Sequence, residues 1–103
     1  MTKRQYILEA VKAKVLDIDP SAVLILFGSR ARGKADKYSD WDFLILTGKK
    51  VNQILKNKIN DALFDVELET DQVLSALVQN QKLWENYSSF PFYKNVKRDG
   101  IRL

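Results

Sequence analysis

The sequence predicts an α+β domain, a short mixed sheet flanked by helices. Three observations predict it. The chain has 103 residues, 46% of them hydrophobic, which suits one core and is too little for two. Two short apolar runs, each followed by a glycine, have the length of strands. Around them, apolar residues recur at steps of three and four, the mark of amphipathic helices. Residues 1–103 are therefore read as a single domain.

The elements follow in order. Ile7, Leu8, Val11, Val15 and Leu16 predict a helix over 3–16, broken by Asp19-Pro20-Ser21. Ala22 to Phe27 is a continuous apolar run, predicted as a strand buried on both faces. Residues 28–39 are small, polar and basic, as a loop would be. Trp41 to Thr47 reads as a second strand, stopped by Gly48. Val51, Ile54, Leu55, Ile59, Ala62, Leu63 and Val66 predict a helix to about Glu69. Phe64 to Glu69 also alternates as a strand would, but that choice leaves the apolar run 73–78 without a place. The helix is therefore favoured, with a strand over 73–78. Gln81 to Tyr87 suggests a helical turn, Pro91 starts a last short helix over 91–98, and Ile101 to Leu103 suits an edge strand.

Composition narrows the chemistry. There is no cysteine and no histidine, so thiolate metal sites, disulfides and Ser-His triads are excluded. Carboxylates must carry any acid-base or metal chemistry. The net charge of +4 is mild, and the basic residues are scattered apart from Lys94, Lys97, Arg98 and Arg102. A nucleic-acid partner is not expected. No apolar run approaches the about 18 residues of a membrane span, and the basic N-terminus leads into an amphipathic segment. A cytoplasmic protein is the expectation.

The informative stretch runs from Gly28-Ser29-Arg30-Ala31-Arg32-Gly33 to Ser39-Asp40-Trp41-Asp42. Gly28 ends an apolar strand and is free to adopt backbone shapes closed to other residues. Ser29 offers a hydroxyl and a potential helix cap, and free amides at a helix start attract phosphate oxygens. Taken alone, this is also an ordinary strand-to-helix turn. Asp40 and Asp42 are two apart, so on a strand they share a face. Two adjacent carboxylates repel unless a cation neutralises them, and magnesium takes such hard oxygen ligands. If the two strands are neighbours, the turn and the pair meet at one end of the sheet. Trp41 then faces the other side, into the core.

These residues resemble the signature of minimal nucleotidyltransferase domains of the DNA polymerase β superfamily. The pattern is Gly-Ser-x-Ala-Arg-Gly, a short loop, then Ser-Asp-x-Asp, and residues 28–42 match it at each defined position. The resemblance implies the small nucleotidyltransferase fold. It implies that Asp40 and Asp42 are catalytic and bind Mg2+, that Gly28 and Ser29 hold the triphosphate, and that Arg32 lies near it or braces the loop. The implied reaction is attack of an acceptor hydroxyl on the α-phosphate of a nucleoside triphosphate, with AMP from ATP the leading case.

Such domains usually add a third carboxylate from a later strand. If that strand is 73–78, the equivalent position is near Ser75, which cannot ligate as a carboxylate does. If Phe64 to Glu69 is the strand instead, Asp65, Glu67 or Glu69 is the candidate third ligand, with Asp71 just beyond. The resemblance also implies a partner, since domains of this size often serve as antitoxins against a helical toxin and modify it with AMP. A homodimer is the other reading, and a catalytically weak scaffold the alternative function. The aromatic tail of Trp84, Tyr87, Phe90, Phe92 and Tyr93 either finishes the core or forms a partner surface.

Overall fold

The computed structural model describes all residues, 1–103. In chain order, α1 (Lys3–Ile18) leads to β1 (Val23–Phe27), the short α2 (Ser29–Arg32) and β2 (Trp41–Thr47). Then come α3 (Gln53–Thr70), β3 (Leu74–Asn80), α4 (Gln81–Glu85), α5 (Pro91–Asp99) and β4 (Ile101–Arg102). The strands make one four-stranded sheet in the order β3-β2-β1-β4. β1 runs antiparallel to β2 and β4, while β2 and β3 are parallel. Parallel neighbours need a crossover, and α3 supplies it. The predicted α+β class with a mixed sheet is the one observed.

Local chemistry explains the elements. Thr2 caps α1 through Gln5, whose side chain bonds back to the Thr2 amide, a complete capping box. Asn52 caps α3 by accepting from the Leu55 amide. Ile7, Val11 and Val15 of α1 and Leu55, Ile59, Leu63 and Val66 of α3 form buried stripes at helical spacing. Both stripes press on one sheet face, against Leu24, Leu26, Trp41, Phe43, Ile45, Leu74 and Val78. Each such side chain contributes about 1.5–3 kcal/mol by leaving water. The other face carries Leu44 and Leu46, covered by Trp84 of α4 and Val96 of α5.

The prediction of a strand buried on both faces is corrected for β1. Leu24 and Leu26 are buried against α1 and α3, but Val23, Ile25 and Phe27 on the opposite face are only half-buried. Two short helices cannot cover what two long ones do. The second ambiguity resolves as helix. The stripe from Leu55 through Val66 to Thr70 keeps α3 helical at the cost of exposing Phe64 and Leu68. Asp65, Glu67 and Glu69 therefore do not line up on a strand face. β3 starts one residue later than expected and runs to Asn80, because its parallel pairing follows the whole of β2.

The end of the sheet at Thr47 is clasped by Asp19, a buried residue just after α1. Asp19 accepts from the Ser21 amide at 3.0 Å, the Ser21 hydroxyl at 2.7 Å and the Thr47 hydroxyl. Burial alone would raise its pKa, but the hydrogen bonds from Thr47 and Ser21 and the Lys49 charge overcome this and leave it lowered. No helix is long and apolar enough to cross a membrane.

Candidate active site

At the opposite end of the sheet, β1 delivers Gly28 beside the start of β2. Phe27 pairs with Asp42 in the β1–β2 register. Gly28 has φ 77° and ψ −161°, a conformation L side chains rarely adopt. Its lack of a side chain also serves packing. A Cβ at this position would lie 2.6 Å from Asp42 Oδ2. Only glycine lets the turn's backbone approach the carboxylate this closely.

Sequence reasoning placed Ser29 as a possible cap. The structure places Gly28 at the cap and Ser29 as the first residue of α2. The Gly28 carbonyl accepts from Ala31 and Arg32, while the first amides of α2 have no helix carbonyl behind them. α2 then ends on Gly33, which is left-handed at φ 70°.

Asp40 is exposed and immediately precedes β2, and Asp42 is half-buried within it. Trp41 between them points into the core, as expected, and is 3% exposed. By alternation Asp40 and Asp42 share the sheet face covered by α4 and α5. Asp42 Oδ1 accepts a 2.7 Å hydrogen bond from Ser75, its partner in the parallel register with β3. The β3 position in register with Asp42, where the sequence led one to look for a third carboxylate, holds a hydroxyl.

The other candidate acids are engaged elsewhere or remote. Glu67 accepts from the Leu74 amide at 2.8 Å, Glu69 accepts from the Tyr6 hydroxyl, and Asp65 is exposed on α3. No three acidic groups come together anywhere in the chain. The residues fit a magnesium ion held by Asp40, Asp42 and substrate phosphates, since magnesium is commonly bound by one or two carboxylates plus phosphate oxygens.

The loop between α2 and β2 is braced by Arg30, a role that sequence reasoning considered only for Arg32. Arg30 donates to the Ser39 carbonyl at 3.0 and 3.2 Å and lies 4.4 Å from the Trp41 ring centroid. A planar guanidinium satisfies the carbonyl and the ring face together. Arg32 instead lines a 240 Å³ cleft with Phe27, Gly28, Phe92, Asn95 and Asp99. Its charge reaches Asp99, whose pKa is lowered first by the Arg98 hydrogen bond and further by Arg32 and Lys34. The signal for Arg30 was its place before a buried tryptophan, visible only once both residues were in space.

The aromatic tail divides. Trp84 is buried, and Phe92 packs edge-on against both Trp84 and Phe27 at 5.8 and 5.3 Å. Tyr87 and Phe90 remain exposed on a 400 Å³ apolar groove with Leu77 and Phe92. A second 400 Å³ cleft, between Leu46, Trp84 and Arg102, lies away from the carboxylates and contains none of the expected site residues.

A strand, a glycine turn against an aspartate, and a paired strand carrying Asp-x-Asp bring the two parts of the residue 28–42 motif together. The nucleotidyltransferase domain family matches residues 5–101, and the chain belongs to it. It is 31% identical over 61 residues to "Probable protein adenylyltransferase MntA" of Haemophilus influenzae, covering 59% of this chain and 54% of that protein. The chain thus matches about half the length of that relative. It is 30% identical over 77 residues to "Putative protein adenylyltransferase" of Methanocaldococcus jannaschii, covering 75% of this chain and 72% of that one.

Among solved structures it is similar to a toxin-antitoxin with AMP-PNP, with a TM-score of 0.60 and 19% identity over 91% of this chain and 70% of that one. It is also similar to a mutant of the toxin-antitoxin MntA-HpeT, with a TM-score of 0.58 and 16% identity over 100% of this chain and 72% of that one. At such identities the likeness concerns the fold.

Proposed function

We propose that the chain transfers a nucleoside monophosphate, AMP in the leading case, from a nucleoside triphosphate to a hydroxyl on a partner protein. The observation that carries this reading is the close approach of the Gly28 turn to Asp42, where a Cβ on residue 28 would lie 2.6 Å from Oδ2. The names of the relatives support AMP as the group and protein as the acceptor. A toxin-antitoxin likeness supports a toxin as that partner.

In this reading Gly28, Ser29 and Arg32 hold the triphosphate through amides, a hydroxyl and a guanidinium. Asp40 and Asp42 hold Mg2+, which when bound neutralises the phosphates and polarises them for attack. The acceptor oxygen attacks the α-phosphorus, the bond to the bridging oxygen breaks, and pyrophosphate leaves. The chain has no histidine, so the acceptor's proton would leave to a carboxylate or to solvent. Positioning and charge neutralisation supply most of the rate. Ser75 keeps Asp42 oriented by its hydrogen bond.

The test is thermal unfolding with and without ATP and magnesium, in the wild type and in Asp42→Asn. At about 100 times its dissociation constant, the ligand should stabilise the fold by about 2.7 kcal/mol. That stabilisation should require magnesium and vanish in Asp42→Asn. A wild type with no response to any nucleoside triphosphate would sink the proposal for this chain.

One observation favours a second reading. With Ser75 where a third carboxylate would stand, the domain would hold nucleotide and partner with little or no turnover. The readings separate on whether labelled nucleotide becomes covalently attached to a co-purified partner. They separate again on Ser75→Asp, which should raise transfer in the second reading and tighten magnesium binding in both.

A further inference from the structure

β3 is an edge strand whose outer side is open. The Trp41 amide donates to the Val73 carbonyl, which turns the backbone groups of Val73, Ser75, Leu77 and Gln79 toward β2. The groups of Leu74, Ala76, Val78 and Asn80 therefore point outward. The Leu74 amide is covered by Glu67. The backbone of Ala76 and Val78 borders an open 140 Å³ groove with Lys56 and Asn60. The strand reads Leu-Ser-Ala-Leu-Val-Gln-Asn, with no charge and no proline, so it lacks the usual devices that keep sheet edges apart. Large apolar side chains flank it on both sides. Phe64 of α3, one turn along from Asn60, is 55% exposed, and Leu77 is 38% exposed beside Tyr87 and Phe90.

We propose that this edge is the interface with a second copy of the chain, paired antiparallel about a two-fold axis at Leu77. That register is self-complementary. It sets Ala76 opposite Val78 of the second copy, where outward donors meet outward acceptors, and Leu74 opposite Asn80, where the Leu74 amide stays with Glu67. Leu77 meets Leu77 as a close, non-hydrogen-bonded pair on the apolar groove face.

The charges agree with a second copy as the occupant. α3 is polarised on its β3 side, with Lys56 of its first half bordering the groove and Glu67 of its second half against Leu74. The same two-fold axis runs the two α3 helices antiparallel, so the basic half of each lies toward the acidic half of the other. The register also places Gln79 of the second copy opposite Ser75. Each site thereby receives an amide from the other copy beside the Asp42 hydrogen bond.

Sedimentation equilibrium of the isolated chain over a wide concentration range tests this. The wild type should pass from monomer to dimer mass as concentration rises. Leu77→Lys and Leu77→Glu should each hold the chain monomeric, because like charges then face each other across the axis. An equimolar mixture of the two should recover the dimer, since only this axis brings position 77 against itself. Ala76→Pro removes an outward amide, is tolerated at an edge, and should also give a monomer with an unchanged circular dichroism spectrum. A wild type that stays monomeric throughout, including one that associates only with a different protein, overturns the proposal. So does a dimer that survives both Leu77→Lys and Ala76→Pro, or a mixture that fails to recover it.

Discussion

The two ends of the sheet each carry an aspartate at the tip of β2, and they treat it in opposite ways. Asp19, at the Thr47 end, is 1% exposed and takes three hydrogen bonds from Ser21 and Thr47. Asp42, at the Gly28 end, is half-exposed and takes one, from Ser75. A buried carboxylate with its lone pairs filled is part of the fold. A half-open one, set beside Asp40 and facing a glycine backbone, keeps coordination capacity in reserve. On the proposed function, fold and chemistry sit at opposite ends of one strand.

The comparison breaks if the roles can be exchanged by mutation. The largest expected effect is on transfer. Asp40→Ala or Asp42→Ala should lower it on the order of 10²-fold or more, by analogy with loss of other charge-stabilising groups. Asp40→Ala should not reduce unfolding stability, and in Asp42→Ala relief of like-charge repulsion should offset the lost Ser75 hydrogen bond to within about 1 kcal/mol. Asp19→Ala should do the reverse. It removes charged hydrogen bonds and should cost about 2–3 kcal/mol in urea unfolding while leaving the nucleotide-induced shift intact.

Gly28→Ala sharpens the comparison, because it should damage both properties at once. The positive-φ, extended-ψ backbone of Gly28 costs about 1–3 kcal/mol in a residue with a Cβ. The Cβ also displaces Asp42 Oδ2. Calorimetry with ATP and magnesium should find binding weakened beyond what the stability loss explains. Ser75→Ala should cost about 1 kcal/mol or less of stability, with a weaker magnesium affinity as the clearer readout.

The smallest effect is on pH. The Asp19 pKa is lowered on folding, so its contribution to stability is fully present above the ordinary value of about 3.9. It is lost as pH falls through the lower folded value. Acid unfolding of wild type and Asp19→Asn should therefore converge at low pH, while the nucleotide site plays no part in that convergence.

Much of the fold was legible because its long elements are strongly periodic. The stripes of α1 and α3 and the apolar run of β2 pointed to their elements directly. Phe64 to Glu69 was ambiguous because six residues fit both periods, and only the packing of Val66 and Thr70 against the sheet decided between them. At the site, Gly28, Ser29, Asp40 and Asp42 stood out as a local motif. The brace by Arg30 and the pairing of Ser75 with Asp42 depend on residues far apart in sequence, which no local pattern encodes. The clasp at Asp19 escaped notice for the same reason, since Asp19-Pro20-Ser21 looked like a simple breaker.

The parallel pairing of β2 with β3 has a consequence for how the site comes into being. Gly28 and Asp42 are joined by a short antiparallel connection, whereas Asp42 and Ser75 are 33 residues apart and meet only after α3 has formed and crossed over. Loop closure over that span carries more entropy, and such non-local pairing is slow. The Gly28–Asp42 half of the site should thus assemble early, and its contact with Ser75 late. In amide exchange pulsed during refolding, protection at Ile25 and Leu44, whose backbone groups face each other between β1 and β2, should precede protection at Leu77. A nascent chain of this kind would have its glycine turn against Asp42 before Ser75 arrived to orient that carboxylate.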